Sequence, residues 1–393
     1  MLIAVCFDYF GPYHVARLAA AAQRMNVVGI EVSANTWEYA WDPVEGGEAF
    51  RRIVVVPEGN IRALPKDEQR RRVWQVMDAL GPDVVAVHGW YEMYALIVLA
   101  WAADKQVPVV MMSDSAATDF RRSAPKEWIK RRLVRLAQTG LVGGTVHAAY
   151  IIELGMAESC VFKGYDVVDN AYFTRMAGLR QSTKRPDRLP GRNYFLASNR
   201  FIPKKNLQRL LEAFAAYSRL AGPQGWELVL LGDGDLRPEL EQQRIRLGLN
   251  SVVHMPGFMQ YGDLPDYYAW AGAFVHASTT EQWGLVVNEA MASGLPVLVS
   301  ERCGCAPDII ENGCNGFTFD PYDVGALANL MLKMSSDDCD RAAMGRASRE
   351  IISRWSPDTF AEGLVQAAEA ALSSARPQTG WMEKALLWAL SCR

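Results

Sequence analysis

The chain has 393 residues, half of them apolar, which is enough to bury two cores of ordinary domain size. With 41 basic against 44 acidic residues and a formal charge of -3, it has no whole-protein footprint for nucleic acid, and none is expected as a partner. Its seven cysteines are odd in number and irregularly spaced, and Cys303-Gly304-Cys305 is too tight for a zinc pair, so they read as reduced thiols of a cytoplasmic protein.

Met1 to Asp8 lacks a basic start and a small-residue cleavage site and reads as an opening strand rather than a secretion signal. Strands are expected at 2–7, 27–32, 52–56, 83–88, 108–112 and 140–143, with helices between them, among them 14–23 and 68–80. This alternation predicts a parallel sheet covered on both faces. The longest apolar run, 94–103, is far short of the roughly 20 residues that span a bilayer. The chain is therefore expected to be soluble, or peripheral at the inner face of a membrane.

A doubly wound sheet binds its ligand outside the carboxyl ends of its strands. Candidates there are Gly11, Pro12 and Tyr13 after the first strand, His88-Gly89-Trp90 after the fourth and Ser113-Asp114-Ser115 after the fifth. His88 reads either as a ligand-facing group or as a strand-terminal histidine bonded to a carbonyl. Asp114 reads as a site residue or as a helix or turn cap, and the first is favoured here.

From Arg121 to Leu136 there are seven cations and one acid. From Pro125 this stretch can form a helix with Trp128, Ile129, Arg132, Leu133 and Leu136 along one side. That suits anionic lipid or a pyrophosphate-linked acceptor, or else a core-facing helix with a solvated basic side. A polar, Pro-containing stretch at 175–192 then breaks the alternation and marks a linker. The expected division is an N-terminal domain at 1–174, the linker, a C-terminal domain at 193–371 and a tail at 372–393.

In the second domain the strand ending Phe195-Leu196-Ala197-Ser198 leads through Asn199 to Asn206 into a helix carrying Leu207, Leu210, Leu211 and Phe214. Arg200 and Lys205 stand where strand meets helix. Arginine grips phosphate oxygens through a rigid fork and lysine as a compact charge, so the pair can neutralise a diphosphate. The strand 226–231 closes on Gly232-Asp233-Gly234-Asp235, which reads as a turn rather than a metal loop because no third ligand follows at useful spacing.

The strand Ala273-Phe274-Val275-His276-Ala277 then precedes Glu281, Gly284 and a helix carrying Leu285, Asn288, Glu289 and Ala292 at helical spacing. Glu281 hangs on the loop and Glu289 sits one turn into the helix, directed back toward its start, so both can face one ligand. The free amides around Gly284, Leu285 and Val286 suit a diphosphate. Two carboxylates flanking an anion site imply hydroxyl donors at its ends, the outline of a nucleotide sugar. The other reading is a capped surface helix with two solvated glutamates.

These residues resemble the family four retaining glycosyltransferases of the two-domain GT-B fold. The resemblance runs through Arg200-Phe201 to Lys204-Lys205-Asn206, the Gly232-Asp233-Gly234 turn, Pro256-Gly257-Phe258, the Glu281 to Glu289 segment, 290–297 and Asn315-Gly316-Phe317. About half the chain carries it strongly. It implies two Rossmann-like α/β domains facing a cleft, Arg200 and Lys205 on the diphosphate, Glu289 on the ribose, Glu281 on the donor sugar, and backbone near Gly257 and Phe258 facing the base. It also implies transfer with retention to a glycan, lipid-linked or small-molecule acceptor, as in polysaccharide biosynthesis. Many relatives carry a histidine near Asp114, and a glycine pair where this chain has Phe10-Gly11-Pro12.

An acceptor hydroxyl can pass its proton to the departing phosphate oxygen, so no metal and no cofactor beyond the nucleotide-sugar co-substrate is expected. A nucleotide-sugar 2-epimerase, a phosphorylase with a pyridoxal-bearing lysine, and a catalytically degraded sugar-nucleotide-binding subunit are the alternatives on the same architecture. After Pro377, the helix expected at 381–390 is too apolar to stand alone in water. It should pack back onto the N-terminal domain, or else touch a membrane.

Overall fold

The computed structural model describes residues 1–34, 49–375 and 380–391. The chain forms two compact units, one from Met1–Val167 with Pro357–Arg393 and one from Val168–Ser356.

In the first unit, β1 (Leu2–Phe7), β2 (Asn26–Ser33), β3 (Arg51–Val56), β4 (Val84–His88), β5 (Val109–Ser113), β6 (Thr139–Val142) and β7 (Val161–Lys163) form one sheet in the order β3-β2-β1-β4-β5-β6-β7. Every pairing is parallel. Central strands such as Val84-Val85-Ala86-Val87 are buried on both faces, which is why they read as continuous apolar runs rather than alternating ones. The short edge strand β7 carries too little apolar signal to be foreseen.

The second unit repeats the plan. β8 (Tyr194–Ser198), β9 (Glu227–Leu231), β10 (Val253–Gly257), β11 (Ala273–His276), β12 (Val297–Ser300) and β13 (Gly316–Phe319) form a parallel sheet in the order β10-β9-β8-β11-β12-β13. In each sheet the winding reverses beside the first strand, between β1 and β4 and between β8 and β11. Crevices for ligands open at such a reversal.

The boundaries follow packing more than composition. The stretch 175–192 begins inside a helix, Asn170–Gln181, that buries Phe173 and Ala177. The second unit holds this helix through Asn170 Nδ2 to the carbonyls of Ile352 (2.8 Å) and Trp355 (3.1 Å), and through Thr174 Oγ1 to the Ala292 carbonyl (2.8 Å). The Pro residues that suggested a linker act only after it ends.

At the far end the chain enters the first unit at Pro357, ahead of the boundary at 371 drawn from sequence. Helix Pro357–Ser373 buries Phe360, Leu364, Ala367 and Ala371, accepts from Thr139 Oγ1 at the Ala367 carbonyl (3.0 Å), and pairs Glu362 with Arg24 (3.0 Å). Helix Trp381–Ser391 puts Leu387 and Leu390 into a core cluster with Tyr94, Val98 and Trp101, to which the buried residues of Pro357–Ser373 do not belong. Among the described residues no helix is long and apolar enough to cross a membrane.

The basic stretch forms helix Ala124–Val134, but its apolar side splits. Leu133 and Leu136 enter the core, whereas Trp128 turns outward. Its cations are partly spent on structure: Arg122 and Lys130 both pair with Glu127 (3.3 and 2.9 Å), and Arg132 pairs with Glu383 (2.6 Å).

Candidate functional site

At the carboxyl ends of β8 and β11, two loops of the second unit are fastened together. Asn206 is in the left-handed region (φ 58°), and its side-chain amide donates to the carbonyls of Ala277 (3.0 Å) and Pro321 (2.8 Å). Thr279 N–H donates to the Lys204 carbonyl (2.8 Å). This clamp brings Lys205 against Glu281, with the ammonium donating to Oε2. Lys204 Nζ donates to Gln282 Oε1 (2.9 Å) and stands 3.9 Å from the other Glu281 oxygen.

Glu281 is not solvated. Its side chain is 10% exposed, and Oε2 also accepts from Ser278 Oγ (3.1 Å) and faces His276 Nε2 (3.2 Å). Burial opposes ionisation of this carboxyl, but Lys205, His276 and Lys204 outweigh it and hold the acid well below the usual carboxylate range. Burial and the neighbouring lysines keep His276 below its own ordinary value, although Glu281 pulls the other way. Glu281 is therefore an anion with fixed hydrogen-bond partners.

Glu289 is fully buried and accepts from Tyr268 Oη (2.6 Å). Burial and this carboxylate together raise the Tyr268 phenol well above its ordinary value. The reading of Glu281 and Glu289 as solvated residues of a surface helix is thus set aside. Gly284 begins helix Leu285–Ala292 at φ 108°, a conformation that costs a residue with a Cβ dearly. Two positions of the loop before it are pinned from behind, as the Gly304 and Cys305 amides donate to the carbonyls of Glu281 (3.0 Å) and Trp283 (3.2 Å). The cysteine pair thus borders the site, while Leu285 and Val286 stay partly accessible at the helix start.

Arg200 is exposed on the loop after β8. The Gly232-Asp233-Gly234 turn is what shapes that loop: a Cβ at Gly232 would stand 1.8 Å from the Asn199 carbonyl oxygen, and Phe201 N–H donates to the Asp233 carbonyl (2.8 Å). Gly257 ends β10 at φ 103°, and its carbonyl accepts from Gly232 N–H (2.9 Å). Phe258 beside it is exposed. Sequence reasoning missed Lys204, His276, Ser278 and Tyr268. A histidine closing an apolar strand where β8 and β12 end in serine was the available signal for His276.

In the first unit the expected residues form a separate cluster. His88 Nε2 lies 3.6 Å from Asp114 Oδ1. Burial disfavours the imidazolium, yet the Asp114 carboxylate outweighs it and raises His88 above its ordinary value. For Asp114 burial is likewise outweighed, here by His88, and the acid is lowered. The next helix begins only at Ala124, so Asp114 is no helix cap. His88 stacks on Tyr165 (5.4 Å), whose ring also lies under Arg17 (4.9 Å). Buried Asp166 stands 3.8 Å from Arg17, and burial and Asp114 push it up to about 7 against the pull of Arg17 and His88. Gly11 N–H donates to His14 Nδ1 (3.0 Å).

Fold and site together define an α/β protein with two Rossmann-like, doubly wound parallel sheets, the second of which collects lysines and carboxylates where such sheets bind ligands. Residues 180–351 match the model of the family described as glycosyl transferases group 1. The chain is 38% identical over 126 residues to a sulfoquinovosyl transferase of Arabidopsis thaliana, covering 31% of this chain and 24% of that protein. It is 32% identical over 146 residues to a D-inositol 3-phosphate glycosyltransferase of Streptomyces avermitilis, covering 37% and 31%. This chain thus spans less than a third of the length of either relative. Among solved structures, HepE of Anabaena in complex with UDP-glucose superposes with a TM-score of 0.72 at 21% identity, covering 95% of this chain and all of that one. At that identity the likeness establishes the GT-B type of fold.

Proposed function

We propose that this protein is a retaining, family four glycosyltransferase that moves a hexose from a UDP- or GDP-sugar to a hydroxyl of a glycan, lipid-linked or small-molecule acceptor, without a metal or other cofactor. The observation that carries it is the largely buried, ionised Glu281 held by Lys205 beside the Gly284 helix start. Anabaena HepE, crystallised with UDP-glucose, supports a nucleotide-sugar donor for a chain of this fold.

In this reading Arg200, Lys205 and the amides of Gly284 to Val286 take the diphosphate, and Glu289 and Glu281 take hydroxyls of the ribose and of the sugar. The backbone of Gly257 and Phe258 meets the base. As the anomeric bond lengthens, charge grows on the diphosphate, and cations already oriented by the clamp stabilise that charge without reorganising. The acceptor hydroxyl passes its proton to the departing phosphate oxygen. Gly11, His88 and Asp114 serve the sugar and acceptor side, and the basic stretch 121–136 meets a membrane from its cytoplasmic side.

Thermal-shift screening of nucleoside diphosphates and their sugars, which raise the melting point only if they bind the folded chain, identifies the donor. Arg200→Ala and Lys205→Ala should each lower turnover about a hundredfold or more while donor-free protein still folds; wild-type rates in both would remove the leaving-group roles. Donor converted to an epimer without acceptor would instead identify a 2-epimerase.

A further inference from the structure

Helix Trp381–Ser391 is apolar on two sides. Leu387 and Leu390 enter the core, while Trp381 (79% exposed), Trp388 (62%), Ala385 and Ala389 occupy the opposite face, with Met382 beside them. Packing on the core therefore satisfies only half of this helix, and large apolar side chains rarely stand together in water without an occupant for the face they form.

What surrounds that face is mostly cationic, with Asp104 and Glu383 its nearest acids. On one flank an open cavity of about 260 Å³ lies among this helix and helices Lys66–Leu80 and Met93–Lys105, lined by Arg70, Trp74, Asp104, Lys384 and Trp388. Arg70 lies over the Trp74 ring (4.6 Å), and neither Arg70 nor Lys384 has an ion pair among the described residues. On the other flank Arg132 joins Glu383 (2.6 Å) and lies over Trp128 (4.9 Å), which is 51% exposed. Beyond it Arg121, Lys126 and Arg135 are exposed and likewise lack an ion pair among the described residues.

We propose that helices Lys66–Leu80, Ala124–Val134 and Trp381–Ser391 form one docking surface for an anionic lipid bilayer, with Trp381 and Trp388 entering the headgroup boundary and Arg70 and Lys384 holding lipid phosphates between them. The proposal rests on reading 121–136 as a membrane contact and makes the chain's last helix its apolar anchor. Eleven residues are too short to span a bilayer, but a helix with an aromatic outer face and flanking cations lies in the interface plane. Tryptophan suits that boundary because its ring is apolar and its N–H still meets water. Positive charge on both flanks selects an anionic surface over a second copy of the same basic face.

The test is flotation of the full chain with phosphatidylcholine vesicles, with and without phosphatidylglycerol. Wild type should bind only the anionic vesicles and detach in high salt. Trp381→Ala with Trp388→Ala should weaken binding about tenfold or more, and Arg70→Ala with Lys384→Ala about fivefold for each cation, with unchanged melting and unchanged thermal shift by nucleotide sugars. No binding to anionic vesicles, equal binding to neutral ones, or a dimer that the tryptophan variant dissociates would overturn it. If Arg121→Ala, Lys126→Ala and Arg135→Ala together abolish binding while the tryptophan variant binds as wild type, helix Ala124–Val134 makes the contact alone. The present proposal then falls and the earlier reading stands.

Discussion

Glu281 in the second unit and Asp166 in the first are both largely buried carboxyls at the strand ends of a doubly wound sheet, each with a basic partner, yet they are driven in opposite directions. Glu281 touches an ammonium, accepts from a serine hydroxyl and has a second lysine behind it. Asp166 has its guanidinium at 3.8 Å, shared with the Val167 carbonyl (3.1 Å), and a second carboxylate, Asp114, adding repulsion. Burial opposes the charge of both acids, so the balance turns on contact distance, donor count and the sign of the next charge out. One centre is built to stay ionised, and the other to take up a proton near neutrality.

The most damaging way to break this contrast is Lys205→Ala, which leaves the Glu281 charge buried with its main partner gone. It should cost about 3 kcal/mol of unfolding free energy, read from denaturant midpoints, and an unchanged midpoint would mean the clamp does not hold the charge. Next comes Asp166→Asn. A raised folded-state pKa means that the stability contributed by the protonated form is full below the ordinary value of 3.8 and is lost as pH rises through about 7. The Asn variant should therefore gain on wild type steadily between those limits and level off above them; a difference flat in pH would place Asp166 among ordinary acids. The smallest effect is Tyr268→Phe, which removes the 2.6 Å donor to Glu289 and should cost about 1 kcal/mol. A neutral result would show that the other partners of Glu289 suffice.

Much of the second unit was legible because its chemistry is local. A strand, a polar loop and a helix follow within some twenty residues around Glu281, and glycine at 284 marks the turn that the backbone takes at φ 108°. The lysine partner of Glu281 lies 76 residues earlier in the chain, and no spacing rule pairs two groups so far apart. Gly232 shows the same limit: it read as ordinary turn chemistry, but its lack of a side chain is demanded by the Asn199 carbonyl of another loop. In the first unit the strand-end rule led to His88 and Asp114, but it was silent on Arg17, Tyr165 and Asp166, which follow β7 or lie inside a helix and meet the others only through packing.

The amino-acid sequence alone determined the alternation of apolar strands and amphipathic helices, and with it two doubly wound sheets, because burial on both faces and helical spacing are properties of neighbouring residues. It also determined that the last helix could not be solvated all round. Tertiary structure decided where that helix buries one face and bares the other, which cations are consumed by Glu127 and Glu383 and which remain outward, and which buried acids stay charged. Those outcomes depend on distances between groups remote in the chain, and an electrostatic balance that changes sign within a few ångströms is settled only once the fold has set them.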